Sequence, residues 1–192
     1  MKLISKLTIS ILTILFVMTG CTPALLKYQL DPGFDAVKEA AGTAKIVAVS
    51  VVDLRKNNER STLNGKIAIN GIEADAKVLQ AKLIEKLKRE NYKIISKPLL
   101  ADIAFEIEIN KLSLLIESGT FKSVIQGQSE FKLTVNKHSE RWSKIFRATR
   151  TQEVANPANN LDATGVINQM LTKQLATAFS DPALADFVSK EP

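Results

Sequence analysis

The stretch Ile103–Ile116, IAFEIEINKLSLLI, is the most informative part of this sequence for predicting its fold. Apolar residues occupy alternate positions from Ile103 to Ile109, which is the pattern of a strand with one buried face. The alternation resumes on the opposite parity at Leu112, so a strand that keeps the same face buried must bulge near Asn110. We therefore expect one long strand that bends near its middle.

Two further long arms follow this strand. Apolar residues of one parity run from Phe121 to Val135, and a turn at 137–140 leads into a third arm that ends near Glu153. Consecutive strands with short connections favour an antiparallel meander. Upstream, Lys45–Leu54 is a β-branched run typical of an interior strand.

Amphipathic patterns predict two long helices. Leu79 and Leu83 belong to an apolar stripe in the first helix, and the second begins after the cap residues Asn159 and Asn160. Asp181 then restarts a short helix. Two helices cannot cover both faces of so wide a sheet. We therefore predict an α/β fold of the α+β type: a two-layer sandwich with a mainly antiparallel sheet of about 5–6 strands and two long helices on one face.

Cys21 is the only cysteine, and it closes a segment with the pattern of an export signal. Lys2 and Lys6 precede the apolar run Leu7–Val17, which is about half of the roughly 20 residues that a membrane span needs. The segment ends in Met18-Thr19-Gly20-Cys21 and resembles a lipobox, which implies an acylated thiol and cleavage just before it. An uncleaved membrane helix and a secretory signal with a free thiol are the alternatives.

This interpretation divides the chain into three parts. Residues 1–20 are a lipoprotein signal peptide, residues 21–44 are the lipidated cysteine and a tether, and residues 45–192 are a single periplasmic α/β domain. Cleavage lowers the net charge from +6 to +4, which is a mild excess. Thr22 follows the cysteine, and resemblance to Gram-negative lipoproteins then implies export onward to the outer membrane.

The sequence offers no motif for catalysis or for a cofactor. His138 is the single histidine and lies in a predicted turn, which argues against a metal site or a Ser-His-acid triad. The glycines form no phosphate-binding motif, and no motif that reads nucleic acid is present. We expect no enzyme, no metal, no cofactor and no nucleic-acid partner. An enzyme acting on cell-wall glycan, with paired acids such as Glu106 and Glu108, is the weakest alternative.

Two groups of charged residues are candidate binding sites. Asp53 and Arg55 leave the end of a buried strand, where either a ligand-binding pair or a loop cap with a local ion pair is expected. Lys144, Arg147 and Arg150 belong to a basic area on the later arms that could meet lipid phosphate or an acidic partner. The alternative is a solvated hairpin, with Lys144 and Arg150 on one face and Arg147 on the other.

The order and spacing of these features resemble the YajG-type family of small bacterial lipoproteins. The likeness covers most of the chain and rests on Cys21, Val52-Asp53-Leu54-Arg55, the lone helix before Tyr92, Glu153-Val154-Ala155, Asn159-Asn160, Ser180-Asp181-Pro182 and Phe187. The resemblance implies an outer-membrane lipoprotein of undefined activity without catalytic residues.

The expected function is therefore that of a lipid-anchored envelope lipoprotein with a non-enzymatic binding or accessory role. Acyl chains on Cys21 hold it in the membrane, and an envelope protein or a lipid is the expected partner. The alternative is an auxiliary lipoprotein of a lipid or envelope transport system, which would bind an apolar ligand in a groove between the sheet and the helices.

Overall fold

The computed structural model describes residues 28–33, 45–56, 62–63, 66–67 and 72–190. The predicted signal peptide and Cys21 lie outside the described residues. The described chain contains seven strands, namely β1 (Ile46–Asp53), β2 (Thr62–Leu63), β3 (Lys66–Ile67), β4 (Lys93–Ile95), β5 (Ile103–Ser118), β6 (Lys122–Lys137) and β7 (Glu140–Ala155). It also contains three α-helices, namely α1 (Ile72–Arg89), α2 (Asn160–Phe179) and α3 (Pro182–Ser189), and one 3₁₀ turn (Pro98–Leu100).

All seven strands belong to one sheet, in which β5 is central. The main order is β4-β1-β5-β6-β7, and the short β2-β3 hairpin pairs with the far end of β5 on the same edge as β1. β5, β6 and β7 pair antiparallel, so the predicted meander is confirmed. β1 pairs in parallel with both β4 and β5. The α1 helix carries the chain back to the start of β1 before β4, and the 3₁₀ turn at Pro98–Leu100 lies in the connection from β4 to β5.

The predicted bend in β5 is also confirmed. Ile109 pairs with Phe131 and Lys111 pairs with Glu130, so Asn110 is an extra residue between two consecutive pairs of β6. This bulge changes the parity of β5 and keeps both Ile109 and Leu112 buried.

Both long helices cover the same face of the sheet. α1 packs on β1 and β4, whereas α2 packs on β6 and β7. Phe105 of β5 meets Phe179 of α2 with ring centroids 6.1 Å apart, and Leu83 of α1 is fully buried in the same core. The two-layer α+β architecture is therefore confirmed, with a mixed sheet that is antiparallel from β5 to β7.

The capping predicted for the helices at the carboxyl end is present. Asn159 accepts hydrogen bonds from the backbone N–H groups of Leu161 and Asp162, and the Asp162 side chain accepts one from the Asn159 N–H. This capping box fixes the start of α2. Asp181 accepts from the N–H groups of Ala183 and Leu184 and so caps α3.

Candidate functional site

A buried ion cluster lies where β1 ends. Arg55 contacts Asp53 at 2.5 Å and Asp75 of α1 at 2.8 Å, and the three side chains are 5%, 6% and 7% exposed. The Asp53–Arg55 pair that the sequence singled out is thus present, and its arginine also reaches the first helix. The two carboxylates that bind this buried arginine compensate its charge directly.

The bend of β5 explains why an arginine lies here. β1 follows β5 as far as Ile109, which accepts a hydrogen bond from Leu54, and β2 joins the same edge only at Leu115. Between these points the Arg55 Nη1 donates to the carbonyl of Leu112 at 3.0 Å. The guanidinium therefore satisfies a carbonyl on the stretch of edge that β1 and β2 leave open.

Burial shifts the ionisation of this cluster. Desolvation raises the pKa of Asp75, although the hydrogen bonds from Tyr28 and Arg55 oppose that effect. Burial alone would lower the pKa of Arg55, but its hydrogen bonds to Asp53 and Asp75 raise it above the ordinary value. The arginine is consequently a permanent cation.

Tyr28 joins the cluster from the amino-terminal side. Its hydroxyl donates to Asp75 Oδ2 at 2.6 Å, and desolvation followed by the charge of Asp75 raises the pKa of the phenol. The phenol therefore remains protonated and acts as a donor across the accessible pH range. The cluster ties together residue 28, the end of β1 and the first helix.

The segment 28–33, hereafter the strap, lies along both long helices. The Gln29 N–H donates to Thr164 Oγ1 at 3.2 Å, the Asp31 N–H to Asn168 Oδ1 at 2.8 Å and the Gly33 N–H to Thr172 Oγ1 at 2.8 Å, so each acceptor belongs to one face of α2. Asp31 also pairs with Lys82 of α1 at 2.5 Å, and Leu30 is buried. Part of the predicted tether therefore packs on the domain.

In the ion cluster, Asp53 and Asp75 both bind Arg55, and the binding role predicted for Asp53 and Arg55 stays a prediction. The side chains of these three residues are buried, whereas the Asp31–Lys82 pair of the strap is largely exposed. Within the described residues, no group of three or more His, Cys, Asp or Glu side chains is placed to hold a metal ion. The described helices also include none that is long and apolar enough to cross a bilayer.

The basic residues of the third arm do not form one patch. Lys144 lies on the helix-covered face, where it pairs with Asp181 at 2.5 Å and stands over the Phe146 ring at 5.6 Å. Arg147 lies on the open face and pairs with Glu130 at 2.6 Å. Strand alternation separates these two cations, as the sequence indicated.

Arg150 shares the helix-covered face with Lys144. It is opposite Gly127 of β6, and its Nε is buried without a hydrogen-bond partner. A Cβ on Gly127 would stand 3.1 Å from Met170 Sδ, which shows how closely α2 approaches the sheet beside this arginine. The binding role of Lys144, Arg147 and Arg150 stays a prediction.

Sequence reasoning missed two members of the buried cluster. Asp75 lies within the helical pattern of α1, and Tyr28 lies in the segment that the sequence predicts to be a tether. One local feature pointed to a fixed structure in this segment: the turn predicted at Asp31-Pro32-Gly33, which lies at the end of the strap. Tyr28 and Asp75 are 47 residues apart in the chain, so no local pattern reveals their contact.

The fold and this closed cluster define a small α+β domain whose amino-terminal strap is fixed to two helices. Protein XCC0632 from Xanthomonas campestris, described as a DUF330 family-model protein, has a similar structure, with a TM-score of 0.50 and 10% identity over 80% of this chain and 88% of that one. At this identity the likeness shows a shared fold.

Two solved lipoproteins are also similar. Lipoprotein GNA1162 from Neisseria meningitidis has a TM-score of 0.33 and 13% identity, over 70% of this chain and 99% of that one. The rare lipoprotein B from Shewanella oneidensis has a TM-score of 0.35 and 14% identity, over 74% of this chain and 94% of that one. A search of curated protein sequences found no match.

Residues 32–189 match the Lipoprotein_16 family, which is described as an uncharacterized lipoprotein. The chain belongs to this family of YajG-type lipoproteins. The resemblance drawn from the order and spacing of the sequence features is thereby confirmed.

Proposed function

We propose that this chain is a non-enzymatic lipoprotein of the bacterial cell envelope, held in the outer membrane by acyl chains on Cys21 and facing the periplasm. One observation carries the proposal: the match to a lipoprotein family begins at residue 32, a short distance after a cysteine that closes a lipobox-like segment. Two or three acyl chains make such an anchor stable, because each buried methylene contributes about 0.8 kcal/mol.

The non-enzymatic part of the proposal is supported by the chemistry of the ion cluster. Asp53 and Asp75 are buried carboxylates, and both bind Arg55. A general acid or base must instead reach a substrate proton within hydrogen-bond distance. Glu108 on the open face pairs with Lys132 at 3.0 Å, so it too has a protein partner.

The test is the replacement Cys21→Ser in the full chain. The wild type is expected to incorporate radiolabelled palmitate and to fractionate with the outer membrane, while the variant incorporates none and leaves that fraction. A Thr22→Ser variant is the matched control, since it changes the neighbouring residue and keeps the thiol. Unlabelled wild type that still fractionates with the membrane would overturn the proposal.

A transport accessory that binds an apolar ligand is the second candidate. It needs a groove between the sheet and the helices, but the side chains described there, such as Leu83, Ile107 and Ile167, are buried and fill that space. An open groove of about 400 Å³ lies instead beside the strap, lined by Gly33, Asn168, Gln169, Thr172, Lys173 and Ala176. Cross-linking in intact cells distinguishes the two roles, because a discrete protein partner favours the first and copurified lipid favours the second.

A further inference from the structure

The strap determines where the membrane-side chain meets the domain. Tyr28 contacts Asp75 in the first turn of α1, and Gln29 contacts Thr164 near the start of α2. Asp31 contacts Lys82, which lies further along α1 than Asp75. Gly33 contacts Thr172, which lies further along α2 than Thr164. The chain therefore joins the domain at the end where both long helices begin.

The anchor cannot be far from that end. Only six residues separate Cys21 from Tyr28, and a fully extended chain spans at most about 3.6 Å per residue, or about 25 Å here. The sheet is longer than this reach, because the 16 residues of β5 extend for about 50 Å at 3.3 Å per residue. The domain cannot stand on its opposite end while Cys21 is in the bilayer.

The anchor-side end carries two strongly exposed apolar side chains. Phe121, in the β5–β6 turn, is 90% exposed, and Leu161, in the first turn of α2, is 82% exposed. The Phe121 carbonyl accepts a hydrogen bond from the Asn156 N–H at 3.3 Å, which places the turn against the chain that leads into α2. Leu161 is also one turn before Thr164, the residue that holds Gln29.

We propose that Phe121 and Leu161 form an apolar tip that inserts into the phospholipid surface in which Cys21 is anchored. This inference rests on the proposed lipid anchor and adds the orientation of the domain. Single exposed apolar residues are common on protein surfaces. A phenylalanine and a leucine within reach of the anchor, however, are side chains that insert at the boundary of headgroups and acyl chains. The open face of the sheet then stands upright from the membrane and is accessible to a partner.

The opposite end supplies a matched control. Leu99 is 99% exposed in the 3₁₀ turn, close to the start of β1, where the Asp102 N–H donates to the Ile46 carbonyl. It is as apolar as Leu161 and at least as exposed, but it lies at the other end of β5. Leu99 and Leu161 therefore serve as a matched pair that differs in its position relative to the proposed anchor.

The experiment labels three variants of the full, exported chain, each with one cysteine in addition to Cys21: Phe121→Cys, Leu161→Cys and Leu99→Cys. The Cys21 thiol is acylated under the proposed function, so a maleimide-linked, environment-sensitive dye attaches only at the introduced position. Each protein is reconstituted into vesicles of phosphatidylethanolamine and phosphatidylglycerol that contain a doxyl-labelled phospholipid. Flotation of the vesicles and intact mass of each protein are measured on the same samples.

The proposal predicts that dyes at positions 121 and 161 are quenched by the doxyl lipid and protected from aqueous iodide, while the dye at 99 shows the reverse. Equal iodide quenching at all three positions, on protein that floats and carries acyl chains, would overturn the tip and leave the anchor intact. Protein without acyl chains that fails to float would overturn the anchor and the tip together.

Discussion

Among individual residues, Arg55 is the side chain that connects the most parts of the buried ion cluster. It connects Asp53 at the end of β1, Asp75 of α1 and the carbonyl of Leu112 on β5. Removing one member of a buried ion cluster leaves the others with uncompensated charge, which costs more than the pair itself contributes. Arg55 therefore links the strand, the helix and, through Tyr28, the strap.

We expect Arg55→Ala to lower the free energy of unfolding by about 3–5 kcal/mol, because two carboxylates stay buried without their cation. Urea denaturation of the variant measures this loss. Arg147→Ala is the matched control, since Arg147 is 68% exposed in its pair with Glu130, and its effect should stay near 0–1 kcal/mol. Equal losses in the two variants would show that the buried cluster contributes no more than an exposed ion pair.

Asp181 gives a pH-dependent prediction. The hydrogen bond from Lys144, assisted by the α3 backbone N–H groups, lowers the pKa of Asp181 below its ordinary value. A lowered pKa contributes stability that is present above the unfolded value of about 3.9 and is lost as the pH falls through the folded value.

Wild type should therefore be more stable than Asp181→Asn at neutral pH, and the difference should shrink as the pH falls below about 4. Asparagine still caps the helix, so the comparison isolates the charge. Thermal unfolding across pH measures it, with Asp186→Asn as the control that removes an exposed carboxylate from the same helix. A difference that stays constant down to low pH would mean that the Lys144 contact contributes nothing.

Among the secondary-structure elements, sequence patterns predicted the features that depend on neighbouring residues, such as strand alternation and helix caps. The alternation in β5, including its change at Asn110, appears in the structure as a bulge, because the period of two leaves no other way to keep one face buried. The capping of α2 and α3 was likewise predictable from Asn159 and Asp181.

Long-range placement was not predictable from these patterns. The parallel pairing of β1 with β5 depends on how α1 crosses over, and the strap depends on acceptors more than 130 residues away in the chain. The same limit explains why only two members of the ion cluster were predicted. Asp53 and Arg55 are neighbours in the sequence, whereas Asp75 and Tyr28 reach them only through the tertiary fold.

The packing of α1 on the sheet gives the prediction at this scale. Leu83 is fully buried at the centre of the apolar stripe of α1, as the sequence indicated. Leu83→Ala should cost about 2–5 kcal/mol, which combines lost transfer free energy with the cavity left behind. Denaturation midpoints measure the loss, and Leu99→Ala, at an exposed leucine, should leave the midpoint unchanged. A midpoint for Leu83→Ala within error of the wild type would show that α1 does not cover the core.

At the scale of the whole molecule, charge is dispersed over both faces of the sheet. Lys144 and Arg147 point to opposite faces and each has a carboxylate partner. A surface arranged in this way gives weak attraction to anionic lipid, and salt screens that attraction over about 8 Å at physiological strength.

The triple replacement Lys144→Gln, Arg147→Gln and Arg150→Gln tests whether these cations act together. We expect residues 22–192 with and without these changes to bind anionic vesicles and envelope extracts equally at low and high salt, since the three side chains do not share one face. Cosedimentation measures the binding. A loss of binding in the triple variant at low salt only would reveal a functional basic surface.

Anchoring of this α+β domain through Cys21 can be tested on the intact mass of the mature chain extracted from membranes. We expect a chain of residues 21–192 whose first residue carries a diacylglyceryl group on its sulfur, with or without a third acyl chain on its amino group, so that two or three acyl chains are present in total. A membrane-extracted chain whose mass equals that of the unmodified sequence, whether cleaved or not, would contradict it.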